Sequence, residues 1–182
     1  MITRFVFSGT GGQGIITAAI VLAEAAIHYE GLEAVQTQSY GAEARGGSAR
    51  ADVIIATDHI KFPKVTQPNV LVCLSQVSFD KYSWIVRPGG FVLVDPHFVL
   101  RRNDLNSRCI DLPMYASILT AQKSAQNLNL CMLGALTGLI DFVSTEALAE
   151  AVRVRFEKRG AAAALHAVEI GRSLVRESVE VF

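Results

Sequence analysis

The sequence predicts an α/β fold, a Rossmann-like three-layer sandwich with a mainly parallel sheet and a helical C-terminal part. Three observations lead to this prediction. Short apolar runs typical of buried strands alternate with helical stretches as far as Asp95. A glycine turn follows the first of these strands and begins the first helix. From about Tyr115 onward the pattern is mostly helical. Buried strands interleaved with helices are typical of a sheet that helices cover on both faces.

Size and composition fit one domain, which we take to span residues 1–182. Of the 182 residues, 51% are hydrophobic, which is enough for a sizeable core. The 17 basic and 17 acidic residues balance and form no long run of one sign, which argues against a nucleic-acid binder or a basic membrane anchor. The sequence contains neither a signal-peptide pattern nor a run of about 18 apolar residues, so we expect a cytoplasmic protein.

The first half of the chain divides at its glycines and prolines. RFVFSG predicts a strand, and the apolar spacing from Ile15 to Tyr29 predicts a helix that Gly31 ends. Further strands are predicted at 33–38, at 49–55 and over NVLVCLS. The link between the second and third strands has only about ten residues, and a parallel crossover needs a dozen or more. We therefore expect that pair to be antiparallel or not adjacent.

The second half adds two strands and then helices. QVSFDKYSWIV predicts a short helix, FVLVD a buried strand and SRCIDLP a weaker strand. Helices follow from about Tyr115, over 127–140, after Ser144 as an N-terminal cap, and over 161–178. The stretch 127–140 is apolar almost all round. It must therefore be buried between the sheet and its neighbours, or at an interface.

The turn GTGGQG is the first candidate site. It places the GxGxxG pattern between a strand and a helix, the context in which backbone N–H groups at a helix start face an anion. The candidate cofactor-binding residues are Gly9, Gly11, Gly12, Gln13 and Gly14.

This turn is incomplete as a dinucleotide fingerprint. That fingerprint needs an acidic residue roughly 20 residues on, at the end of the second strand. Here the strand ends TQSYG, with Glu33 at its start and Glu43 beyond it. NAD(P) binding is therefore disfavoured. A phosphate-bearing or other anionic ligand, a docked partner backbone and a turn that only allows close packing stay open.

The second candidate site is the loop SYGAEARGGSAR. One turn does not need three glycines together with an aromatic and two charged side chains, and aromatic and Arg side chains are favoured anchors at interfaces. A solvated loop with a Glu–Arg pair is the alternative. The candidate partner-contact residues are Ser39, Tyr40, Gly41, Glu43, Arg45, Gly46 and Gly47, and Arg45 is also a candidate for ligand binding.

The sequence gives no sign of a metal or nucleophile site. Cys73, Cys109 and Cys131 are far apart along the sequence and form no CxxC pattern. This disfavours a zinc site, an iron–sulfur cluster and a disulfide framework. We expect Cys73 and Cys131 in the core. The four histidines are scattered, and no Ser–His–Asp or Cys–His arrangement stands out. We therefore predict no catalytic residue and no metal ligand.

The glycine turn and the second loop, taken together, resemble the motifs of a known family. GTGGQG followed by QTQSYGAEARGGSAR resembles the gamma subunit, or gamma domain, of 2-oxoacid:ferredoxin oxidoreductases. The resemblance continues through IKFPKVTQPNVLVCLSQVSFDKY and RPGGFVLVD, and covers most of residues 3–95. The second motif with the FPKV and LSQ segments looks most like the 2-oxoglutarate type. Pyruvate or another 2-oxoacid, such as ketoisovalerate, stays open.

The resemblance implies a role within a larger enzyme. Complexes of this family convert a 2-oxoacid, coenzyme A and oxidised ferredoxin into an acyl-CoA, carbon dioxide and reduced ferredoxin. It implies that alpha and beta subunits hold thiamine diphosphate with Mg²⁺, and that iron–sulfur clusters belong to other chains, including a ferredoxin-like subunit. This chain would be required but not catalytic. It would complete the complex through the second loop and the apolar helix, and would help to bind coenzyme A at the glycine turn or Arg45.

Two other functions compete with this interpretation. One is a free-standing Rossmann oxidoreductase using NAD or a flavin. The absence of an acidic residue that would bind the ribose of NAD argues against it. The other is a pure scaffold subunit without a ligand. We expect neither nucleic acid nor a membrane as a partner.

Overall fold

The computed structural model describes residues 1–40, 48–102, 104–105, 107–158 and 160–179. Its strands are β1 Ile2–Thr10, β2 Glu33–Tyr40, β3 Ser48–Ala56, β4 Val70–Cys73, β5 Phe91–Val94 and β6 Arg108–Asp111. Its helices are α1 Ile15–Tyr29, α2 Gln76–Tyr82, α3 Met114–Gln122, α4 Leu128–Leu139, α5 Thr145–Phe156 and α6 Ala161–Val179, and a single 3₁₀ turn, Ser83–Ile85, follows α2.

The strands form one mixed sheet in the order β2-β3-β1-β4-β5-β6. β1, β4, β5 and β6 are parallel neighbours, whereas β3 is antiparallel to both β1 and β2. β2 therefore runs in the same direction as β1, and β3 is the only reversed strand in the described sheet. This confirms a mainly parallel sheet. Of the two alternatives for the second and third strands, antiparallel pairing is the one observed.

Successive residues of β1 point to opposite faces of the sheet and into two cores. Phe5 and Phe7 belong to the larger core, which the sheet shares with α1, α3, α4, α5 and α6. Val6 points into a smaller core on the other face, where Phe79 of α2 and the connections after β3 and β5 cover the sheet. The fold is thus a three-layer sandwich with a thick helical layer on one face and a thin cover on the other.

Local sequence signals set the helix boundaries. Gly31 follows α1 with φ +64, a conformation that glycine adopts without steric cost. Ser75 precedes α2 and accepts a hydrogen bond from the Ser78 N–H. Ser144 caps α5 by accepting from the Ala147 N–H, as the sequence predicts.

Helix α4 lies inside the chain. Every residue from Leu128 to Leu136 is buried, because the helix is enclosed by the larger core and by α6. Of the two explanations for its all-apolar sequence, burial within the chain is the one observed. The expectation that this helix completes a complex is therefore wrong, since its apolar surface is already covered.

Among the described residues, none of the helices meets the length and hydropathy that a bilayer crossing demands.

Candidate functional site at the carboxyl edge of the sheet

The two motifs singled out in the sequence meet at one edge of the sheet. Thr10, the last residue of β1, stands opposite Ser48, and Gly9 stands opposite Ala49. On the other side of β3, Ala49 stands opposite Tyr40, the last residue of β2. The glycine turn after β1 therefore lies close to both ends of the second loop. Because β1 and β2 run in the same direction, this is the carboxyl edge, where open α/β sheets bind their ligands.

Not all of the predicted site residues are described. Ser39 and Tyr40, which the sequence analysis placed in the loop, are the last two residues of β2 at the carboxyl edge. The other predicted loop residues lie outside the described residues: Gly41, Glu43, Arg45, Gly46 and Gly47. Their assignment to partner contact, and that of Arg45 to ligand binding, stays a prediction.

Gln13 holds the glycine turn in shape. Its Oε1 accepts a hydrogen bond from the Thr10 N–H at 2.7 Å, and its Nε2 donates to the Leu74 carbonyl at 2.8 Å. The side chain thereby joins the ends of two neighbouring parallel strands, β1 and β4. Gly9 makes room for it, because a Cβ at Gly9 would collide with Gln13 Oε1. In this structure both polar atoms of the Gln13 amide bond the backbone and position the turn, and its assignment to ligand binding stays a prediction.

Gly12 and Gly14 both have positive φ, of +91 and +73. The surroundings of Gly14 add a second constraint. Asn129, in the first turn of α4, is 5% exposed and donates through Nδ2 to the Gly14 carbonyl at 3.2 Å. Two helices thus begin side by side at this edge, with Asn129 joining them. Sequence reasoning missed Asn129, whose position as a polar residue within an apolar run was the one available signal.

Among the described residues, no side chain caps the start of α1. Gly14 occupies the N-cap position and has no side chain with which to cap the helix, and the first turn of α1 contains no acidic residue. Gly11 and Gly12 next to it are exposed. N–H groups at a helix start, together with the positive end of the helix dipole, attract phosphate or carboxylate groups. The turn can therefore accept an anionic group that approaches from the carboxyl edge.

Asp95 is a second polar residue that sequence reasoning missed. It follows β5 at the same edge, is fully buried, and accepts from the His97 N–H at 2.9 Å and the Tyr115 N–H at 2.6 Å. Burial raises the pKa of its carboxyl, and the two N–H donors oppose that rise. The His97 ring stacks on the Tyr115 ring at 4.0 Å between centroids. Asp95 thus ties the end of β5 to the start of α3, a structural role.

Glu33 does not replace the missing ribose-binding acid. It begins β2 at the amino edge of the sheet, opposite Ala56. Its carboxylate lies 3.1 Å from His59 Nδ1 and accepts from the Ile60 N–H at 3.1 Å. Both groups hold it away from the glycine turn. The geometry therefore continues to disfavour a dinucleotide site.

The thiols are not poised for chemistry. Cys73 and Cys131 are fully buried, as predicted, and burial raises the pKa of both thiols to about 12. Burial also raises the pKa of the Cys109 thiol. A protonated thiol is a poor nucleophile and a poor metal ligand. Within the described ranges, His, Cys, Asp and Glu side chains form no cluster of three that could hold a metal ion.

Comparison with known proteins identifies the family. The model for "Pyruvate ferredoxin/flavodoxin oxidoreductase" matches residues 4–174. The chain belongs to this family. It is 46% identical over 150 residues to a 2-oxoglutarate synthase subunit KorC from Methanocaldococcus jannaschii, covering 80% of this chain and 79% of that one. It is 38% identical over 176 residues to the KorC subunit from Methanothermobacter marburgensis, covering 93% and 95%.

A solved structure agrees with these relatives. The gamma subunit of a keto/oxoacid ferredoxin oxidoreductase from Geobacter sulfurreducens superposes with a TM-score of 0.87 at 33% identity, covering 97% of this chain and 98% of that one. The resemblance to the gamma subunit is therefore confirmed, and so is the predicted fold class. The chain is one subunit of a 2-oxoacid:ferredoxin oxidoreductase, an enzyme built from several chains.

Proposed function

We propose that this chain is the gamma subunit of a 2-oxoglutarate:ferredoxin oxidoreductase. The complex would decarboxylate its 2-oxoacid oxidatively and form the acyl-CoA, carbon dioxide and reduced ferredoxin. The observation that carries this choice is the high identity to two 2-oxoglutarate synthase subunits over most of both chains. We further propose that residues 1–182 form a single domain of a cytoplasmic complex, for which the free cysteines are one support.

The chemistry of the reaction would lie on the partner chains. We place thiamine diphosphate and Mg²⁺ on alpha and beta subunits, and the iron–sulfur clusters on other chains, including a ferredoxin-like one. The positions of Cys73 and Cys131 support this division, because both thiols are packed among the apolar side chains of the two cores. This chain would then act by completing the complex and by presenting its carboxyl edge to the other subunits.

The glycine turn is the proposed contact for coenzyme A, whose diphosphate is anionic. The uncapped start of α1 and the exposed Gly11 and Gly12 support this, because they leave backbone donors open to an anion. Arg45, which lies outside the described residues, stays the candidate cation for this site on the basis of the sequence. In this proposal Gln13 and Asn129 keep the turn in its open shape without touching the ligand.

Substrate turnover by the assembled complex tests the main proposal. The complex is purified with all its subunits and assayed with 2-oxoglutarate, pyruvate and 2-oxoisovalerate. We expect 2-oxoglutarate to give the highest kcat/KM, and omission of this chain to abolish coenzyme A-dependent turnover. A preference for pyruvate would contradict the substrate, and full activity without this chain would contradict the role.

Ligand titrations separate the competing functions. Coenzyme A is titrated into the assembled complex carrying Arg45→Ala, with Arg87→Ala at the amino edge as the matched control. We expect the affinity to fall about tenfold for Arg45→Ala alone, since a charge-assisted contact to phosphate is lost. An unchanged affinity would remove Arg45 from this role and favour the pure scaffold. Tight NADH or FAD binding by the isolated chain would instead favour a free-standing oxidoreductase.

A further inference from the structure

The two outer strands of the sheet differ in how they are protected. β6 has four residues, and charged Arg108 and Asp111 stand at its two ends. Arg101 lies 3.3 Å from Asp111 and adds a further charge beside that strand. Short length and charged side chains are the usual means by which proteins prevent edge strands from pairing with other chains. β6 is therefore a protected edge.

β2 lacks this protection. It has eight residues, EAVQTQSY, with a single charge at Glu33 and neither lysine nor proline. In the described sheet it pairs with β3 on one side and forms the outer edge on the other. Thr37 and Ser39 are exposed there. A long edge with so little charge presents backbone N–H and C=O groups that a second strand can satisfy.

We propose that two copies of this chain pair through their β2 strands. The pairing is antiparallel about a two-fold axis perpendicular to the sheet, and joins the two sheets into one. Rotation about such an axis does not exchange the two faces of the sheet, so the helical layers of both copies lie on the same side of the joined sheet. Isologous pairing about a two-fold axis is the commonest way in which identical chains associate.

The pattern of β2 side chains suits a copy of itself. Val35 stands opposite Ile54 of β3 and packs in the smaller core, so Val35, Thr37 and Ser39 share that face. A pairing centred on Gln36 places Glu33 opposite Ser39, and Val35 opposite Thr37, of the second copy. Residues of the same face then meet, as an antiparallel pair requires.

Charge also favours this occupant. Like charges directly opposite one another destabilise a strand pair, and the single charge of β2 is never opposite itself when the pairing is centred on Gln36 or Thr37. The Glu33 carboxylate is moreover already engaged by His59 and the Ile60 N–H. An identical strand can thus approach without electrostatic cost. Because strand pairing buries little apolar area, we expect a dissociation constant on the order of micromolar.

The test is the oligomeric state of the full chain and of variants with opposite charges at the centre of the pairing. Molar mass is measured by light scattering and sedimentation over a series of concentrations for the wild type, Gln36→Lys and Gln36→Glu. We expect a wild-type dimer, monomers for each variant alone, and a dimer when the two variants are mixed, because opposite charges then meet across the axis. Recovery in the mixture shows that the separate variants are folded.

Gln126→Lys is the matched control, because Gln126 is exposed and lies between α3 and α4, away from β2. It should dimerise like the wild type. A wild-type chain that stays monomeric at every concentration would overturn the proposal, and so would a dimer that persists in Gln36→Lys. A monomeric chain whose Gln36→Lys variant also fails to join the assembled complex would assign this edge to a different partner chain. None of these outcomes depends on which 2-oxoacid the enzyme uses.

Discussion

Gly12 and Gly14 adopt the same left-handed conformation in different surroundings. An alanine at either position strains the backbone by about 1–2 kcal/mol. The Cβ of an alanine at Gly14 would also lie 2.7 Å from Asn129 Cγ, whereas a Cβ at Gly12 would have none of the described residues within 4 Å. We therefore expect Gly14→Ala to lower the free energy of unfolding more than Gly12→Ala does, as measured by urea denaturation.

A double variant shows whether Asn129 causes the difference. Combined with Asn129→Ala, the Gly14→Ala change should cost less than the sum of the two single variants, because the colliding side chain is gone. Strict additivity would mean that Gly14 is constrained by its backbone alone. This pair matters for function, since the two residues fix the turn to which the proposed anion binds.

The buried carboxyl of Asp95 gives a pH dependence of stability. Its pKa in the folded chain is raised by burial, so between the unfolded-state value of about 4 and the raised value the folded chain holds more protons. Its contribution to stability is thus fully present below about pH 4 and declines as pH rises toward the folded-state pKa.

Asp95→Asn isolates this contribution. The urea midpoint of the wild type should fall relative to that of Asp95→Asn as pH rises above about 4, because the amide does not titrate. An overall loss of stability is also expected for the variant, since an NH₂ group then faces a backbone donor where a carboxylate oxygen accepted. A constant difference between the two midpoints across pH would contradict the assignment.

Sequence reasoning succeeds for residues whose role is local. Gly31 and Ser144 act on backbone next to them, and the glycine turn is visible because strand, turn and helix are contiguous. Asn129 and Asp95 were missed because each joins two elements through a partner that is distant along the chain, Gly14 for Asn129 and Tyr115 for Asp95. Asn129 bonds a carbonyl 115 residues away, and no local pattern contains that information. A polar residue within an apolar helix, or an acid directly after a buried strand, was the available signal.

At the scale of elements, α4 and α6 cross at very close distance. A Cβ at Gly134 would overlap the Val168 carbonyl, and one at Gly171 would overlap the Cys131 carbonyl. Helix backbones approach this closely only where glycine removes the side chain. In an exposed helix, replacing Gly by Ala would gain up to about 1 kcal/mol in propensity. Here the helices would have to separate.

Gly171→Ala and Gly134→Ala should therefore destabilise the fold by about 3 kcal/mol or more, measured by urea or thermal unfolding. Gly138→Ala is the matched control in α4, because its Cβ would meet Val175 Cβ at 3.2 Å, a side-chain contact that can relax. We expect a small effect there. Equal effects at all three positions would argue that the crossing adjusts freely.

The elements themselves were largely predictable. The apolar spacing of α1 predicted both of its ends. The short link after β2 excluded a parallel neighbour and left antiparallel pairing with β3 as one of two alternatives. The position of α4 was not decided by its sequence, because an all-apolar helix suits an interior and an interface equally. The position of α4 is decided by α6, because Gly171 lets α6 pack closely against it. The sequence alone does not show which helices pack together.

For the whole molecule, the topology brings together what the sequence keeps apart. β3 returns between β1 and β2, so residues 10–14, the end of β2 and the start of β3 share one edge. The second loop therefore cannot be treated as separate from the glycine turn. If partner chains carry the chemistry, they should approach here and not at the amino edge.

Hydrogen exchange on the assembled complex tests this orientation. Compared with the isolated chain, amides of residues 10–14 and of Ser48 should be protected in the complex, because the carboxyl edge is covered. The turn before β5, with Gly89 and Gly90, lies at the amino edge and should exchange at the same rate in both states. Residues 10–14 are decisive, since pairing of two β2 strands would protect β2 but not the glycine turn. Protection confined to the outer helices α5 and α6 would place the partner chains on the helical face and contradict the proposed orientation.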